Sequence, residues 1–263
     1  MLHNSAGLLY KQHPKEVIDA LTNYTLAALP EVLDTLQPID LGHGETFAGG
    51  DVKVTFYPSG HILGATGVKI ESAGGTIFHT GDTSLHPQRM VGGAELPDGP
   101  IDVLVTESTN GFADAYLSHT RERELERLIT TINETLEAEG SVLIPVFALG
   151  KLQEMVTMIG DAIRDGRIPN VPVYSGGMGR KISEVYDSFP NSRSRTNASD
   201  RISDIEQAEM PRRDGIFGAK FFREPSIVLA ASGMMQEGTP SYLLAQRWLR
   251  LPHFTIAFVG YTD

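Results

Sequence analysis

Cysteine is absent from the 263 residues of this chain. A disulfide framework is therefore excluded, and any metal site has to be built from histidine and carboxylate side chains. No apolar run approaches the roughly 18 to 20 residues that a membrane-spanning helix requires, so we expect no membrane partner. A signal peptide is not visible either, since the polar residues His3, Asn4 and Ser5 follow the first two residues. Together these absences predict a cytoplasmic protein.

A surplus of basic residues is also missing, because the formal net charge is −11 at pH 7. Proteins that coat nucleic acid are usually basic, so that class is disfavoured. An acidic enzyme can still act on nucleic acid through a local groove, where metal ions supply positive charge. The length and the apolar content of 41% are ordinary for a globular protein with one large domain or two smaller ones.

Two sequence patterns divide the chain near Gly111. Before it, β-branched stretches alternate with glycine-rich turns, and the clearest stretches are VKVTFYP, TGVKIES and GTIFHTG. After it, apolar stretches such as SVLIPVF and SIVLAAS alternate with amphipathic helices, which is typical of βαβ units and a parallel sheet. We therefore expect an α/β protein with a strand-rich domain at 1–110 and a doubly wound domain at 111–263.

Two smaller expectations concern the second domain. The polar segment 191–211 predicts a surface excursion with a short helix around Asp204–Met210. The arginines of the helix after Thr120 are expected to pair with glutamates of the same helix on a solvated face. These residues are Arg121, Arg123 and Arg127 with Glu122, Glu124 and Glu126.

Three possible metal ligands or proton carriers follow strands of the first domain. His61 comes after VKVTFYPSG, Asp82 after GTIFHTG, and Glu107 after IDVLVT. A strand that ends in small residues exposes the next side chain at the rim of the sheet, where imidazole or carboxylate can bind a metal or move a proton. Each residue also has an ordinary explanation as a turn residue, a helix cap or a solvated side chain. Spacing alone does not decide between these interpretations.

Five segments occur in a fixed order: SGHILGATGVKIESAGGTIFHTGDTS, VLVTESTNG, VLIPVFALGKLQE, VLAASGMMQEG and FVGY. Over nearly the whole chain this series resembles the β-CASP branch of the metallo-β-lactamase fold, which includes ribonuclease J and the endonucleases that cleave mRNA 3′ ends. The resemblance implies a partial αββα metallo-β-lactamase sandwich at 1–110 and a doubly wound, parallel-sheet β-CASP domain at 111–263. It also implies a zinc-dependent hydrolase that cleaves RNA phosphodiesters with metal-activated water.

The resemblance further implies roles for single residues. His61 matches a zinc ligand, and Asp82 matches a carboxylate that bridges two zinc ions. Glu107 matches a carboxylate that orients a catalytic histidine, a usual support for an imidazole. Lys151 and Ser232 stand between strand and helix and are candidates for contact with RNA phosphate, although such turns contain glycine in most α/β proteins without binding a ligand.

Weaker candidates follow from the same comparison of motifs. Arg180 and Lys181 stand at another turn between strand and helix, and we rank them below Lys151. His119 precedes a helix at a position where the family often has a histidine. We favour an ordinary surface position for His119.

Most of the family's zinc ligands have no counterpart in this sequence. None of the eight histidines forms an HxHxDH motif, and the family's last two histidine motifs would lie beyond FVGY. We therefore expect a fragment that binds no stable dinuclear zinc centre alone and that leaves a strand edge open to other chains. Two alternatives stay open: a non-catalytic scaffold that pairs with a second copy or a homologous subunit, and a hydrolase of small esters or thioesters. Whether the chain itself is an enzyme is undecided.

Overall fold

The structure is a computed structural model that describes residues 29–109, 111, 120–211 and 224–260. The chain divides into two compact units, Met1–His43 and Gly44–Asp263. The described part of the first unit contains helix α1 (Leu29–Asp34). The second unit contains two five-stranded sheets, which carry the residues of interest. The expectation for His119 falls outside the described residues.

The first sheet has the strand order β1-β2-β3-β4-β5. Neighbouring strands are antiparallel from β1 to β4, and β5 runs parallel to β4. Strands β2 to β4 coincide with the three stretches predicted from alternating and β-branched residues. The strands are β1 (Gly44–Phe47), β2 (Val52–Pro58), β3 (Thr66–Ser72), β4 (Gly75–His79) and β5 (Val103–Val105).

Much of the first sheet is exposed. Every residue of β5 is exposed, including Leu104 at 60%. Phe78 of β4 is buried, and its ring packs edge to face against Tyr57 at 6.1 Å between centroids. Gly67 lies beneath that ring, because a Cβ at this position would come within 2.8 Å of Phe78 Cζ. Burial in this sheet is therefore confined to a few positions.

The second sheet has the order β10-β6-β9-β7-β8, and all of its neighbouring strands are parallel. Helices alternate with strands along the chain, as the sequence predicts. The elements are α2 (Arg121–Glu137), β6 (Val142–Pro145), α3 (Lys151–Arg164), β7 (Val173–Ser175), α4 (Gly177–Ser188), β8 (Ala208–Glu209), β9 (Ile227–Ala230), α5 (Pro240–Trp248) and β10 (Thr255–Ile256).

Helices cover both faces of the second sheet. Alternate residues of β6 point to opposite faces, so Ile144 packs in the core with α2 and α3, whereas Leu143 packs with Leu244 and Trp248 of α5. All residues of β6 and β9 are buried, as expected for a parallel sheet between helices. The α/β class and the doubly wound second part are confirmed.

The prediction of a short helix around Asp204–Met210 was wrong. The chain forms a 3-10 turn at Ile202–Asp204 and then strand β8, which pairs with β7. The turn is fixed because the carboxylate of Asp187 accepts hydrogen bonds from the backbone N–H groups of Ile202 and Ser203, both at 2.9 Å. A contact over this distance in sequence leaves no periodic pattern, and the polar composition alone suggested a helix.

None of the helices in the described part of the chain combines the length and the apolar character that crossing a membrane requires.

Candidate functional site

His61 and Asp82 lie side by side at the end of the first sheet. The distance from His61 Nε2 to Asp82 Oδ2 is 3.8 Å, and both side chains are well exposed. An isolated antiparallel bridge between Gly60 and Thr83 joins the two segments just beside them. Gly60 has a positive φ of 74°, and a Cβ there would come within 2.2 Å of the carbonyl oxygen of Ser84. Only glycine permits this approach.

Glu107 completes this group from the end of β5. Its Oε1 accepts a hydrogen bond from the backbone N–H of Thr83 at 2.9 Å, and its Oε2 accepts one from the N–H of Thr109 at 3.1 Å. The bonds from Thr109 and Thr83 lower the pKa of this carboxyl, and the charge of His61 contributes to the same shift. The structure therefore brings His61, Asp82 and Glu107 together.

These side chains supply an incomplete set of metal donors. A zinc ion takes four protein ligands in structural sites and about three in catalytic sites. The geometry of His61 and Asp82 suits two ligands of one ion, whereas Glu107 is occupied by backbone amides. Within the described residues, no cluster of three or more histidine, aspartate and glutamate side chains could hold a metal ion. The two side chains therefore fit part of a zinc site.

Two side chains from other elements hold the turn that bears His61. The amide of Gln88 donates to the carbonyl oxygens of Gly60 and His61, both at 2.8 Å. The hydroxyl of Tyr186, in α4, accepts a hydrogen bond from the N–H of Leu63 at 3.2 Å. Burial raises the pKa of this phenol. Helix α4, which packs against the second sheet, thus fixes the turn that bears His61 beside the first sheet.

A buried carboxylate makes a second connection between the two sheets. Glu154 of α3 is 3% exposed and accepts hydrogen bonds from the backbone N–H groups of Arg89 and Met90, the latter at 2.9 Å. It also accepts a bond from the guanidinium of Arg121. The prediction that Arg121 pairs within its own helix was wrong, because the buried charge of Glu154 attracts it across to α3. Arg127 does pair with Glu124, at 3.6 Å.

Lys151 is the first residue of α3 and lies half-buried in the turn after β6. Burial lowers the pKa of its ammonium group, while nearby Glu154 acts in the opposite direction. This turn touches the turn that bears His61, because a Cβ on Gly150 would come within 2.2 Å of Ile62 Cγ2. Lys151 therefore belongs to the same neighbourhood as the three residues of the first sheet.

Gln153 fixes the turn of Lys151. This side chain is fully buried, and its Oε1 accepts a hydrogen bond from the N–H of Gly150 at 2.8 Å. Its amide nitrogen donates to the carbonyl oxygen of Gly179 at 3.0 Å and to Ser183 Oγ at 3.2 Å. The start of α3 is thereby tied to the start of α4.

Ser232 follows β9, the strand beside β6. Its hydroxyl oxygen accepts a hydrogen bond from the N–H of Met234 at 3.2 Å, and its carbonyl oxygen accepts one from Ser241 Oγ at 2.6 Å. Within the described part of the chain it makes no hydrogen bond to His61, Asp82 or Glu107. Its hydroxyl is used to shape its own turn.

Sequence reasoning missed Gln88, Gln153, Glu154 and Tyr186. A signal existed for Gln153 and Glu154, because they stand among the apolar residues of a helix whose first two turns are almost entirely buried. Buried polar side chains need partners, so such a pair indicates a fixed contact. Gln88 and Tyr186 gave no comparable signal, since their partners lie far away in the sequence.

Comparison with known proteins bears on the family. The family model described as the Beta-Casp domain matches residues 152–263. An RNase J-like protein of Methanocaldococcus jannaschii is 32% identical over 214 residues, which are 80% of this chain and 49% of that protein. The endoribonuclease ysh1 of Schizosaccharomyces pombe is 33% identical over 243 residues, which are 87% of this chain and 30% of that protein.

A third relative is cleavage and polyadenylation specificity factor subunit 3 of Dictyostelium discoideum. It is 33% identical over 216 residues, which are 80% of this chain and 27% of that protein. The chain thus spans half or less of the length of these relatives. The family resemblance derived from the motifs is confirmed.

Proposed function

Because the chain belongs to the β-CASP branch of the metallo-β-lactamase fold, we propose that it is part of an RNA-processing nuclease. RNA would run along the edge where the turn of Lys151 meets the turn of His61. The observation that carries this proposal is the approach of His61, Asp82 and Glu107 to one another, beside that lysine. Relatives named as ribonucleases give the substrate class.

The chain's own residues suit contact with a phosphodiester. The ammonium group of Lys151 attracts the phosphate charge, and partial burial strengthens that attraction because less water screens it. Glu107 holds the backbone on either side of the group through Thr83 and Thr109. His61 is exposed and can approach a bound phosphate, whereas the carboxylate of Asp82 repels phosphate and can contact it only through a bound cation. Ser232, at the neighbouring strand end, is proposed as a further phosphate contact.

We propose zinc as the metal and His61 and Asp82 as two of its ligands, with further ligands required for stable binding. A zinc pair would supply an activated water and stabilise charge on the attacking and leaving oxygens. We propose that this chain alone holds no stable dinuclear centre. Equilibrium dialysis tests this directly, since two tightly bound zinc ions per chain would contradict it. In a longer protein that carries the remaining ligands, zinc retention unchanged by Asp82→Ala would remove Asp82 from the ligand set.

Lys151→Ala is the direct test of the RNA-binding edge. We expect weaker binding of single-stranded RNA and a salt dependence reduced by about one unit of slope, because one phosphate contact is lost. Fluorescence anisotropy at several salt concentrations measures both quantities. Lys53→Ala is the matched control, since Lys53 lies at the opposite end of β2 from His61 and pairs with Glu71 at 3.9 Å. An unchanged slope for Lys151→Ala would remove it from the RNA contacts.

The depressed pKa of Lys151 adds a pH dependence to this test. The ammonium group loses its proton at a lower pH than an ordinary lysine, whose pKa is about 10.4. The affinity of the unmodified chain should therefore decline on the alkaline side earlier than ordinary lysines predict. Lys151→Ala should lack that part of the decline.

Several assignments accompany this proposal. The domain division at Gly111, a cytoplasmic location and association with a second copy or a homologous subunit remain proposals. A non-catalytic scaffold is the alternative function. RNA binding without cleavage in a longer protein that carries all zinc ligands would favour the scaffold over the nuclease.

A further inference from the structure

Two phenylalanine rings are exposed at the carboxyl end of the second sheet. Phe147 follows β6 and is 43% exposed, and Phe258 follows β10 and is 50% exposed. Strand β6 is fully buried and β10 is half-buried. An exposed phenylalanine lacks the favourable burial of its large apolar surface. Two such rings at adjacent strand ends therefore suggest a surface that takes up a ligand.

The pairing of the strands places both rings on one face. Strand β10 lies beside β6, with Ile256 opposite Leu143. The N–H of Ala257 donates to the carbonyl oxygen of Leu143 at 2.8 Å, which continues this register and places Phe258 opposite Pro145, two residues before Phe147. Alternation along extended backbone turns both rings away from the core that contains Val146 and Ala257, toward the face covered by α5. Parallel strands lie about 4.8 Å apart and rise about 3.3 Å per residue, so backbone positions two residues apart on neighbouring strands are separated by about 8 Å.

The ring of Phe147 is supported from one side by backbone. Gly233 is buried, and a Cβ at this position would come within 2.9 Å of Phe147 Cδ2 and 3.0 Å of Cε2. The glycine of the segment SGMM is therefore required for the ring to lie where it does. The other side of the ring remains accessible, so the ring is held in place before a ligand arrives.

We propose that Phe147 and Phe258 form a platform on which unpaired bases of single-stranded RNA stack. This inference rests on the proposed RNA-binding function and adds the element that recognises bases. Flat, accessible aromatic rings beside a cation suit single-stranded nucleic acid, because the bases stack while the cation takes the phosphate. Phe147 and Lys151 share one turn, since the carbonyl oxygen of Phe147 accepts a hydrogen bond from the N–H of Leu152 at 3.1 Å. The ammonium group of Lys151 and the ring of Phe147 are therefore carried by the same turn.

The test compares Phe147→Leu and Phe258→Leu with the unmodified chain. Leucine keeps an apolar side chain but removes the flat ring. The probes are a labelled single-stranded RNA of about twelve nucleotides and an RNA of equal length that lacks bases at its central positions. We expect each variant to bind the intact RNA about tenfold more weakly and the abasic RNA almost as well as before. Phe189→Leu is the matched control. Phe189 is also well exposed, at 58%, but it follows the C-terminal end of α4 and not the end of a strand.

The outcomes separate this proposal from the one it rests on. Equal losses on intact and abasic RNA, or no loss on either, would overturn the platform while Lys151→Ala still tests the RNA edge. If the unmodified chain binds neither RNA, the proposed function fails first and the platform fails with it. Self-association that the leucine variants abolish, with unchanged RNA affinity, would identify the rings as a protein contact and overturn the proposal. Unchanged urea midpoints show that the variants are folded.

Discussion

The two sheets of this protein differ in how the described chain covers them. Every residue of β6 and β9 is buried between helices, whereas every residue of β1 and β5 is exposed. The second sheet thus has a continuous apolar core of its own, and the first sheet has little. His61, Asp82 and Glu107 nevertheless follow strands of the first sheet. The turn that bears His61 is held by a hydrogen bond to Tyr186 of α4, whereas Glu107 is held by the backbone of Thr83 and Thr109.

The largest expected effect tests the difference in burial. Ile144→Ala in β6 should lower the free energy of unfolding by about 2 to 5 kcal/mol, because it leaves a cavity in a fully buried core. Leu104→Ala in β5 should change it by about 0.5 kcal/mol or less, since Leu104 is largely exposed. Urea unfolding of both variants measures the difference. Similar losses would show that the first sheet is buried as deeply as the second.

An intermediate effect tests the polar connection between the sheets. Glu154→Gln should lower the free energy of unfolding by about 2 kcal/mol. A neutral amide cannot accept hydrogen bonds from the backbone N–H groups of Arg89 and Met90 and from the guanidinium of Arg121 together. Glu126→Gln is the matched control, since Glu126 is 65% exposed and its pair with Arg167 should contribute about 0.5 kcal/mol. Equal shifts of the two urea midpoints would argue against a special role for Glu154.

The smallest effect concerns the pH dependence of Glu107. Its pKa is lower in the folded chain than in the unfolded chain, so its ionised form stabilises the fold at neutral pH. That contribution is lost as the pH falls through the lowered pKa. The difference in unfolding free energy between the unmodified chain and Glu107→Gln should therefore shrink from pH 7 to pH 4 and below. A difference that stays constant over this range would contradict the assignment.

The sequence predicted the elements whose pattern is local. Strands β2 to β4, the helices of the second sheet and the N-cap Thr120, whose hydroxyl oxygen accepts from the N–H of Arg123, all follow from periodicity or capping chemistry. His61 and Asp82, which the motifs single out, lie 3.8 Å apart, and their roles remain a prediction. Tyr186 and Gln88 could not be predicted, because each acts through one polar group on backbone atoms that are remote in sequence. Strand β8 could not be predicted for the same reason, because it is a strand only through its pairing with β7.

The fully buried amide of Gln153 has a mechanical consequence. It joins the N–H of Gly150 to the carbonyl oxygen of Gly179, so the beginnings of α3 and α4 cannot separate without breaking a bond that water does not reach. Further along α4, Tyr186 meets the segment that follows His61. Because both contacts involve α4, a displacement of the turn that bears Lys151 would also move α4 and the turn that bears His61. We therefore expect these two turns to move together rather than independently.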